Sequence, residues 1–292
     1  MTKKIKKVAV LGAGTMGSQL AGHMANAGIP TLLFDLNNEL VSNGLNNLHN
    51  LKPSPLYNPK NAELIEGCTY DEDIQRINEV DWVLEAVAED LDVKRSVYKE
   101  ITPYLKHDVF ISSNSSGLPI AKISNALPKE FRSRFVLTHF FNPPRYLRLV
   151  EIVPSSASEK VVKSLVSIIE NMLGKGVVLA KDTPNFIANR IGVHGQMVTL
   201  KLSEEMGLKV EEVDNIMGSI IGRPKSAVYR TLDIVGLDIA MMVAQNTYKN
   251  CPEDEERSLF SNETILNKLV EAGRLGQKSR EGFYKKTGGE IL

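Results

Sequence analysis

The stretch VAVLGAGTMGSQLAGHMANAG, residues 8–28, decides the fold, because it joins a short apolar run to a G-x-G-x-x-G turn and a helical pattern. Gly12 permits a tight turn, Gly14 lets the backbone approach a pyrophosphate, and Gly17 allows the helix to pack closely against the strand. The free N–H groups at the start of the helix then favour phosphate. The stretch therefore predicts the first strand, turn and helix of a dinucleotide-binding sheet.

An acidic residue follows the next β-like run at the position such a site needs. Asp35 lies 23 residues after Gly12, and the following Leu36 and Asn37 bring no arginine. A carboxylate there accepts hydrogen bonds from the adenosine ribose hydroxyls and repels a 2′-phosphate. We therefore expect NAD rather than NADP as the cofactor, and we prefer dinucleotide binding over a purely structural glycine turn.

Short β-like runs alternate with helical stretches up to about residue 180. Near-continuous apolar strands separated by helices indicate a parallel sheet that is covered on both faces. The runs are VAVL (8–11), TLLF (31–34), CTY (68–70), WVLEAV (82–87), DVFIS (108–112), FVLTHF (135–140), LRLVEIV (147–153) and GVVLA (176–180).

The pattern changes after KDTPNF, residues 181–186, where helical stretches replace the alternation. Asp182 or Thr183 can cap a helix that has Pro184 in its first turn. The sequence thus predicts an α/β chain. Residues 1–183 form a Rossmann-type doubly wound, mostly parallel sheet, and residues 184–292 form an all-helical domain. The predicted helices of the second domain are 185–206, 210–218, 225–230, 236–249 and 262–273.

The composition excludes several classes of function. The 292 residues are 42% hydrophobic and 24% charged, with 35 basic and 35 acidic side chains. This balance gives no basis for binding nucleic acid or an acidic membrane surface, and no apolar stretch reaches the ~20 residues that span a bilayer. Cys68 and Cys251 stand alone, so we expect a reduced, cytoplasmic protein with no metal site.

Polar groups follow five of the predicted strands. In an open α/β sheet, ligands bind beyond the carboxyl ends of the strands, so these groups are expected at one edge. They are the turn 12–17, Asp35, Glu89, the SNSSG segment (113–117) and His139.

The stretch VLTHFFNPPRYLRLVEIV, residues 136–153, holds a histidine and a glutamate in an apolar frame. If its two β-like runs fold back as an antiparallel pair around FNPPRY, positions that sum to 290 face each other, and His139 then faces Glu151. The two are either a satisfied structural pair or an acid–base couple. A strand end that faces a dinucleotide site favours the acid–base couple.

The chain resembles the L-3-hydroxyacyl-CoA dehydrogenase family of fatty-acid β-oxidation over almost its whole length. It looks less like the related gulonate dehydrogenases, in which the two phenylalanines of HFFNP are typically replaced. The matching motifs are GAGTMG (12–17), EAVAED (85–90), SSNSSGLPI (112–120), THFFNPP (138–144), LVEIV (149–153), KDTPNFIANR (181–190) and EGFY (281–284).

The resemblance implies roles for individual residues. His139 would be the general base, Glu151 its orienting partner, and Ser116 and Asn189 the groups around the 3-oxygen of an acyl-CoA thioester. The implied cofactor-binding residues are Gly12, Ala13, Gly14, Thr15, Met16, Gly17, Asp35, Glu89, Lys94, Ser116, Asn142 and Lys278.

The resemblance also implies a homodimer through the helical domain, for which apolar segments such as residues 226–244 are candidates. The segment 36–88 is shorter than in the usual short-chain-length members, so no CoA-binding residue is carried over. In this respect the chain looks closer to fused enzymes in which an enoyl-CoA hydratase follows the dehydrogenase. Two alternatives stay open: a dehydrogenase of a small free hydroxy acid (of the gulonate or 3-hydroxybutyrate type), and a dinucleotide-binding protein that has lost catalysis.

Overall fold

The protein consists of two compact units, Met1–Thr183 and Pro184–Leu292, in a computed structural model. The structure describes residues 4–154, 156–261, 265–287 and 290–291. The predicted fold class is confirmed, since the first unit is a mostly parallel sheet with helices and the second is mainly helical.

The first unit contains an eight-stranded sheet with the order β3-β2-β1-β4-β5-β6-β7-β8. Neighbouring strands are parallel except for β6 and β7, which are antiparallel. The strands are β1 Val8–Leu11, β2 Thr31–Asp35, β3 Ile65–Thr69, β4 Trp82–Glu85, β5 Phe110–Ser113, β6 Phe135–Phe140, β7 Leu149–Val153 and β8 Gly176–Leu179.

The central strands are apolar and buried, and β1, β4, β5 and β6 have no exposed residue. This burial on both faces explains their lack of alternation, because helices cover both sides of the sheet. The helices of this unit are α1 Thr15–Asn26, α2 Asn38–Asn50, α3 Tyr70–Asp73, α4 Leu91–Ile101, α5 Ile120–Ser124, α6 Lys129–Arg132 and α7 Glu159–Asn171.

The second unit contains five α-helices in its described part: α8 Ala188–Glu205, α9 Val210–Ile216, α10 Tyr229–Val235, α11 Leu237–Asn250 and α12 Ile265–Glu271. It is not all-helical, because Lys286–Thr287 (β9) and Glu290–Ile291 (β10) pair as a short antiparallel hairpin. Residues 262–264 of the predicted last helix lie outside the described residues.

The first helix of this unit starts later than the sequence predicts. Neither Asp182 nor Thr183 caps it, because Asn185 and Phe186 have positive φ angles of 63° and 48° and break the helical path. The Asp182 carboxylate instead accepts a hydrogen bond from the backbone N–H of Ile120, which belongs to the same unit. Helix α8 therefore begins at Ala188, after the prolyl turn.

The helix predicted over 225–230 is also displaced, since α10 runs over Tyr229–Val235. Its N-terminus is capped by the carboxylate of Asp214, which accepts hydrogen bonds at 2.8–3.0 Å from the N–H groups of Val228, Tyr229 and Arg230. A cap supplied from α9 leaves no local signal, because N-cap residues are normally adjacent in sequence. Across the part of the chain that the structure describes, no helix has both the length and the apolarity to cross a membrane.

Candidate dinucleotide and acid–base site

The glycine turn after β1 has the geometry that its sequence predicts. Gly12 has a φ of +100°, and a Cβ on it would lie 2.7 Å from the carbonyl oxygen of Ala86. A Cβ on Gly17 would lie 1.7 Å from the carbonyl oxygen of Gly12, so only glycine allows this approach of α1 to β1. A Cβ on Gly14 would meet nothing within 4 Å, and Gly14 is the N-cap of α1. The backbone here is open to a phosphate at the helix N-terminus, which fits a dinucleotide.

Asp35 lies at the carboxyl end of β2, beside this turn. Its Oδ2 accepts a hydrogen bond of 2.7 Å from the N–H of Ala13, and its Oδ1 accepts one of 2.7 Å from the N–H of Leu36. The carboxylate is half-buried, so it is anchored to the turn while remaining accessible. This placement fits recognition of a ribose and rejection of a 2′-phosphate.

His139 and Glu151 face each other across the antiparallel pair β6–β7, in the register that the sequence predicts. The Nδ1 of His139 lies 2.8 Å from the Oε2 of Glu151. Both side chains are buried, and Glu151 is 0% exposed. The His139 ring packs against the Phe141 ring with centroids 4.4 Å apart. A carboxylate on Nδ1 orients the imidazole and stabilises its protonated form.

Asn142 is in the connection between these two strands. Its Oδ1 accepts a hydrogen bond of 3.0 Å from the Nε2 of Gln19 on α1, which joins the connection to the helix that starts at the glycine turn. The neighbouring segment after β5 is also tied to β6, because the Oδ1 of Asn114 accepts from the N–H of Phe140 at 2.8 Å. These bonds link α1 to the β6–β7 connection and the segment after β5 to β6.

Glu89 follows β4 and organises the SNSSG segment. Its Oε1 accepts hydrogen bonds from the Oγ of Ser115 at 2.6 Å, the N–H of Ser116 at 2.9 Å and the N–H of Gly117 at 2.8 Å. Burial raises the pKa of Glu89, but the charge of Lys94 and these hydrogen bonds outweigh it, so the pKa is lowered overall. Glu89 is therefore held as an anion against the loop.

Lys94 is 1% exposed, and its Nζ lies 2.7 Å from Glu85 Oε1 and 3.3 Å from Glu89 Oε2. The sequence interpretation missed Glu85, which is 0% exposed at the end of β4. Its signal was a carboxylate inside an apolar strand, where an ionised group needs a partner. Lys94 thus pairs with the buried carboxylate of Glu85 and the exposed carboxylate of Glu89, and its predicted contact with a cofactor stays a prediction.

The half-buried Ser116 makes no hydrogen bond through its hydroxyl to another described residue, whereas the Ser115 hydroxyl is bonded to Glu89. The other two predicted site residues belong to the second unit. Asn189 is the second residue of α8. Lys278 forms an ion pair with Asp238, with Nζ and Oδ2 2.5 Å apart.

Two cations that the sequence did not indicate hold the β6–β7 connection. The buried Lys175 donates from Nζ to the carbonyl oxygens of Pro144 and Leu147. Burial, and then the charge of Arg148, lower the pKa of Lys175 to about 8. Arg145 donates from Nη1 to the carbonyl oxygens of residues 54 and 56, both at 2.8 Å. The connection between the histidine and the glutamate is thus anchored at several points.

No group of three or more histidine, cysteine or carboxylate side chains that could hold a metal ion occurs among the residues that the structure describes.

Both units match family models. Residues 7–183 match the model described as "3-hydroxyacyl-CoA dehydrogenase, NAD binding domain", and residues 186–286 match "3-hydroxyacyl-CoA dehydrogenase, C-terminal domain". The two matches together cover most of the chain, and the first of them coincides with the unit that holds the glycine turn.

Curated proteins and solved structures agree with these matches. The chain is 43% identical to the "Probable 3-hydroxyacyl-CoA dehydrogenase" of Deinococcus radiodurans, over 97% of this chain and 84% of that protein. It is 41% identical to the protein of the same name from Bacillus subtilis over 100% of this chain, but it spans only 40% of that relative's length. The crystal structure of M. tuberculosis FadB2 superposes with a TM-score of 0.85 at 29% identity, over 98% of this chain and 100% of that one.

Proposed function

This chain belongs to the 3-hydroxyacyl-CoA dehydrogenase family, and we propose that it catalyses the reversible, NAD-dependent oxidation of an L-3-hydroxyacyl-CoA to the 3-ketoacyl-CoA in fatty-acid β-oxidation. The observation that carries the proposal is the 2.8 Å contact between His139 Nδ1 and Glu151 Oε2. The contact lies in the same sheet as a glycine turn that fits a dinucleotide.

In the proposed mechanism His139 removes the hydroxyl proton from the substrate through Nε2. Glu151 stabilises the imidazolium that forms, because its carboxylate sits on the opposite ring nitrogen. Ser116 donates a hydrogen bond to the 3-oxygen, and Asn189 completes the polar group around that oxygen. NAD, when bound, supplies the acceptor for the hydride that leaves C3.

The proposal assigns cofactor binding to the turn 12–17 and to the residues beyond the strand ends. The main-chain N–H groups of the turn and the start of α1 would hold the pyrophosphate, and Asp35 the adenosine ribose. We assign Glu89, Asn142 and Ser116 to the nicotinamide side. Lys94 and Lys278 are proposed cofactor contacts on the resemblance alone.

The test is turnover of NADH with acetoacetyl-CoA by the purified chain and by its His139→Gln variant. General base catalysis contributes about 10²–10⁴-fold in rate, so the substitution should lower kcat by that factor and leave NADH affinity within about threefold. Turnover that survives the substitution would contradict the assignment of the base.

The same assay separates the alternatives. Parallel reactions with free acetoacetate, and with NADPH in place of NADH, test the substrate class and the cofactor. Turnover of the free acid would move the chain to the hydroxy-acid branch. NADH binding without turnover of thioesters of several chain lengths would identify a binding protein that has lost catalysis.

We further propose a cytoplasmic homodimer formed through the helical unit. The supporting observation is a set of exposed apolar side chains on that unit, including Ile191, Met206 and Ile220 at 67%, 68% and 79% exposure. Part of the segment 226–244 lines the unit's own core, while Ile234 and Met242 are exposed. Sedimentation velocity over a range of protein concentrations would detect the dimer.

Coupling to an enoyl-CoA hydratase is also proposed, because the chain is 35% identical to the "Putative fatty acid oxidation complex trifunctional enzyme" of Rickettsia prowazekii and spans 41% of that protein's length. Co-purification of hydratase activity with the native protein would support the coupling. Dehydrogenase activity that elutes without any hydratase activity would count against it.

A further inference from the structure

We propose that Glu85 is a positioning residue for the reaction, which fixes the segment 114–117 that presents Ser116. The expected effect on turnover rests on the proposed dehydrogenase function, whereas the positioning of the segment rests on hydrogen bonds. Glu85 is 0% exposed at the end of β4, so it contacts neither substrate nor cofactor itself. It acts through two chains of contacts, here called arms, one of which starts at each carboxylate oxygen.

The first arm is ionic and leaves from Oε1. Lys94 Nζ lies 2.7 Å from this atom and 3.3 Å from the Oε2 of Glu89, so the ammonium bridges two carboxylates. The Oε1 of Glu89 then binds the segment itself. It accepts from the Oγ of Ser115, the N–H of Ser116 and the N–H of Gly117.

The second arm leaves from Oε2 and is shorter. The hydroxyl of Ser113 donates to this atom at 2.6 Å, and its oxygen accepts from the N–H of Ser115 at 3.2 Å. Because Ser115 is also bonded to Glu89, the two arms close a ring of four hydrogen bonds and one ion pair, the latter between Lys94 and Glu89. Its members are Glu85, Lys94, Glu89, Ser115 and Ser113.

The ring holds three consecutive backbone N–H groups, those of residues 115, 116 and 117. The Ser116 hydroxyl has no hydrogen bond to another described residue, so the backbone decides where it points. A displacement of about 1 Å in such a group can cost on the order of a hundredfold in rate. A change at Glu85 therefore reaches the reaction through the position of Ser116.

The charge of Glu85 matters because Lys94 is buried. Removal of one partner from a buried ion pair leaves an uncompensated charge, and the remaining groups rearrange to pair it. Without the negative charge at Glu85, Lys94 is drawn towards Glu89 alone, and the carboxylate that holds the segment shifts. The Glu85→Gln substitution keeps the size of the side chain, so it removes the charge with little change in packing.

The test is a double-mutant cycle with NADH and acetoacetyl-CoA. Glu85→Gln should lower kcat by roughly tenfold to a hundredfold in the wild-type background. In a Ser116→Ala background the same substitution should lower kcat by less than about threefold, because residues that act through one another are not additive. Equal losses in both backgrounds, or no loss in the wild-type background, would overturn the proposal.

Tyr98→Phe is the matched control. The Tyr98 hydroxyl bonds the same Oε2 of Glu85 at 3.3 Å and is fully buried, but it bonds no residue of the segment 114–117. The control should lower the melting temperature and leave kcat unchanged. A fall in kcat as large as that of Glu85→Gln would reduce Glu85 to a structural role and overturn the proposal.

A second measurement does not depend on turnover. Hydrogen exchange of a peptide that covers residues 112–118 should be faster in Glu85→Gln than in Tyr98→Phe, and Ser113→Ala serves if the first variant does not fold. An unchanged exchange rate in Glu85→Gln would contradict the proposal that the ring holds the segment 114–117. If the wild-type chain turned over no thioester, the proposed function would fail, while the exchange data would still decide whether Glu85 positions the segment.

Discussion

The substitution Glu151→Gln tests how much the carboxylate beside His139 contributes. Glu151 is 0% exposed, and its Oε2 lies 2.8 Å from the Nδ1 of His139. A hydrogen bond to a charged group contributes about 1.5–3 kcal/mol, and each 1.36 kcal/mol of barrier is about tenfold in rate. If this bond is fully expressed when the imidazolium forms, kcat should fall by roughly tenfold to a hundredfold.

Glutamine keeps the size of the side chain, and its amide oxygen can still accept from Nδ1–H. The base then keeps its tautomer but loses the negative charge that stabilises its protonated form. If the amide nitrogen faced Nδ1 instead, the imidazole would be held in the wrong tautomer, and the loss would approach ~10⁴-fold. Both outcomes lower kcat, and their sizes distinguish charge stabilisation from tautomer control.

The assay is the oxidation of L-3-hydroxybutyryl-CoA by NAD, followed through the appearance of NADH. This direction is chosen because positive charge develops on His139 during it. Thr138→Val is the matched control, since Thr138 is buried next to His139 and its hydroxyl bonds Ser112 at 3.0 Å. A kcat for Glu151→Gln within about threefold of that of the control would refute the role of the carboxylate.

Three further predictions concern cofactor choice and acid stability. Replacing Asp35 with serine and Leu36 with arginine should raise the NADPH-to-NADH ratio of kcat/KM by at least about tenfold, since the repulsion of a 2′-phosphate is removed; an unchanged ratio would contradict the NAD assignment. The pKa of Glu89 is lowered, so its stabilising effect is present above its ordinary pKa of 4.5 and is lost as the pH falls further. In urea unfolding, Glu89→Gln should therefore lose less stability than wild type on acidification. Parallel curves of unfolding free energy against pH for the two proteins would count against this. Burial, and then Lys175, lower the pKa of His23 from 6.5 to about 4, so the unfolded chain binds a proton in this window that the folded chain does not. The free energy of unfolding therefore decreases as the pH is lowered from about 7 towards 4. The substitution His23→Leu should make this decrease smaller by about 2 kcal/mol between about pH 7 and pH 5.

The sequence was most informative where a local rule has few solutions. The G-x-G-x-x-G turn requires glycine at Gly12 and Gly17, because a Cβ there would overlap backbone atoms. The register of β6 and β7 was predicted from a simple fold-back around the turn-forming connection, which placed His139 opposite Glu151. In both cases the partners are close in sequence, so spacing alone constrained the geometry.

The sequence was least informative where the partner of a group is remote. The cap of α10 comes from Asp214, and the carbonyl oxygens of Pro144 and Leu147 are bound by Lys175. Such pairs leave no periodic signal, because a lysine or an aspartate in an exposed-looking pattern reads as a solvated charge. The same reason explains why Lys94 was not recognised as the partner of Glu85, although the position of Glu85 in an apolar strand did signal a buried charge.

The antiparallel turn of β6 and β7 has a functional consequence that a fully parallel sheet would not offer. A parallel neighbour is reached only through a crossover of a dozen or more residues, so a base and its carboxylate would lie on strands whose register is set by distant packing. Here twelve positions separate His139 from Glu151, and their register depends on the connection held by Asn142, Arg145 and Lys175. If that connection sets the dyad, Arg145→Met should lower kcat while it leaves NADH affinity unchanged, because Arg145 bonds residues 54 and 56 and not the glycine turn. A weaker affinity for NADH at unchanged kcat would mean that the connection serves the cofactor instead of the base.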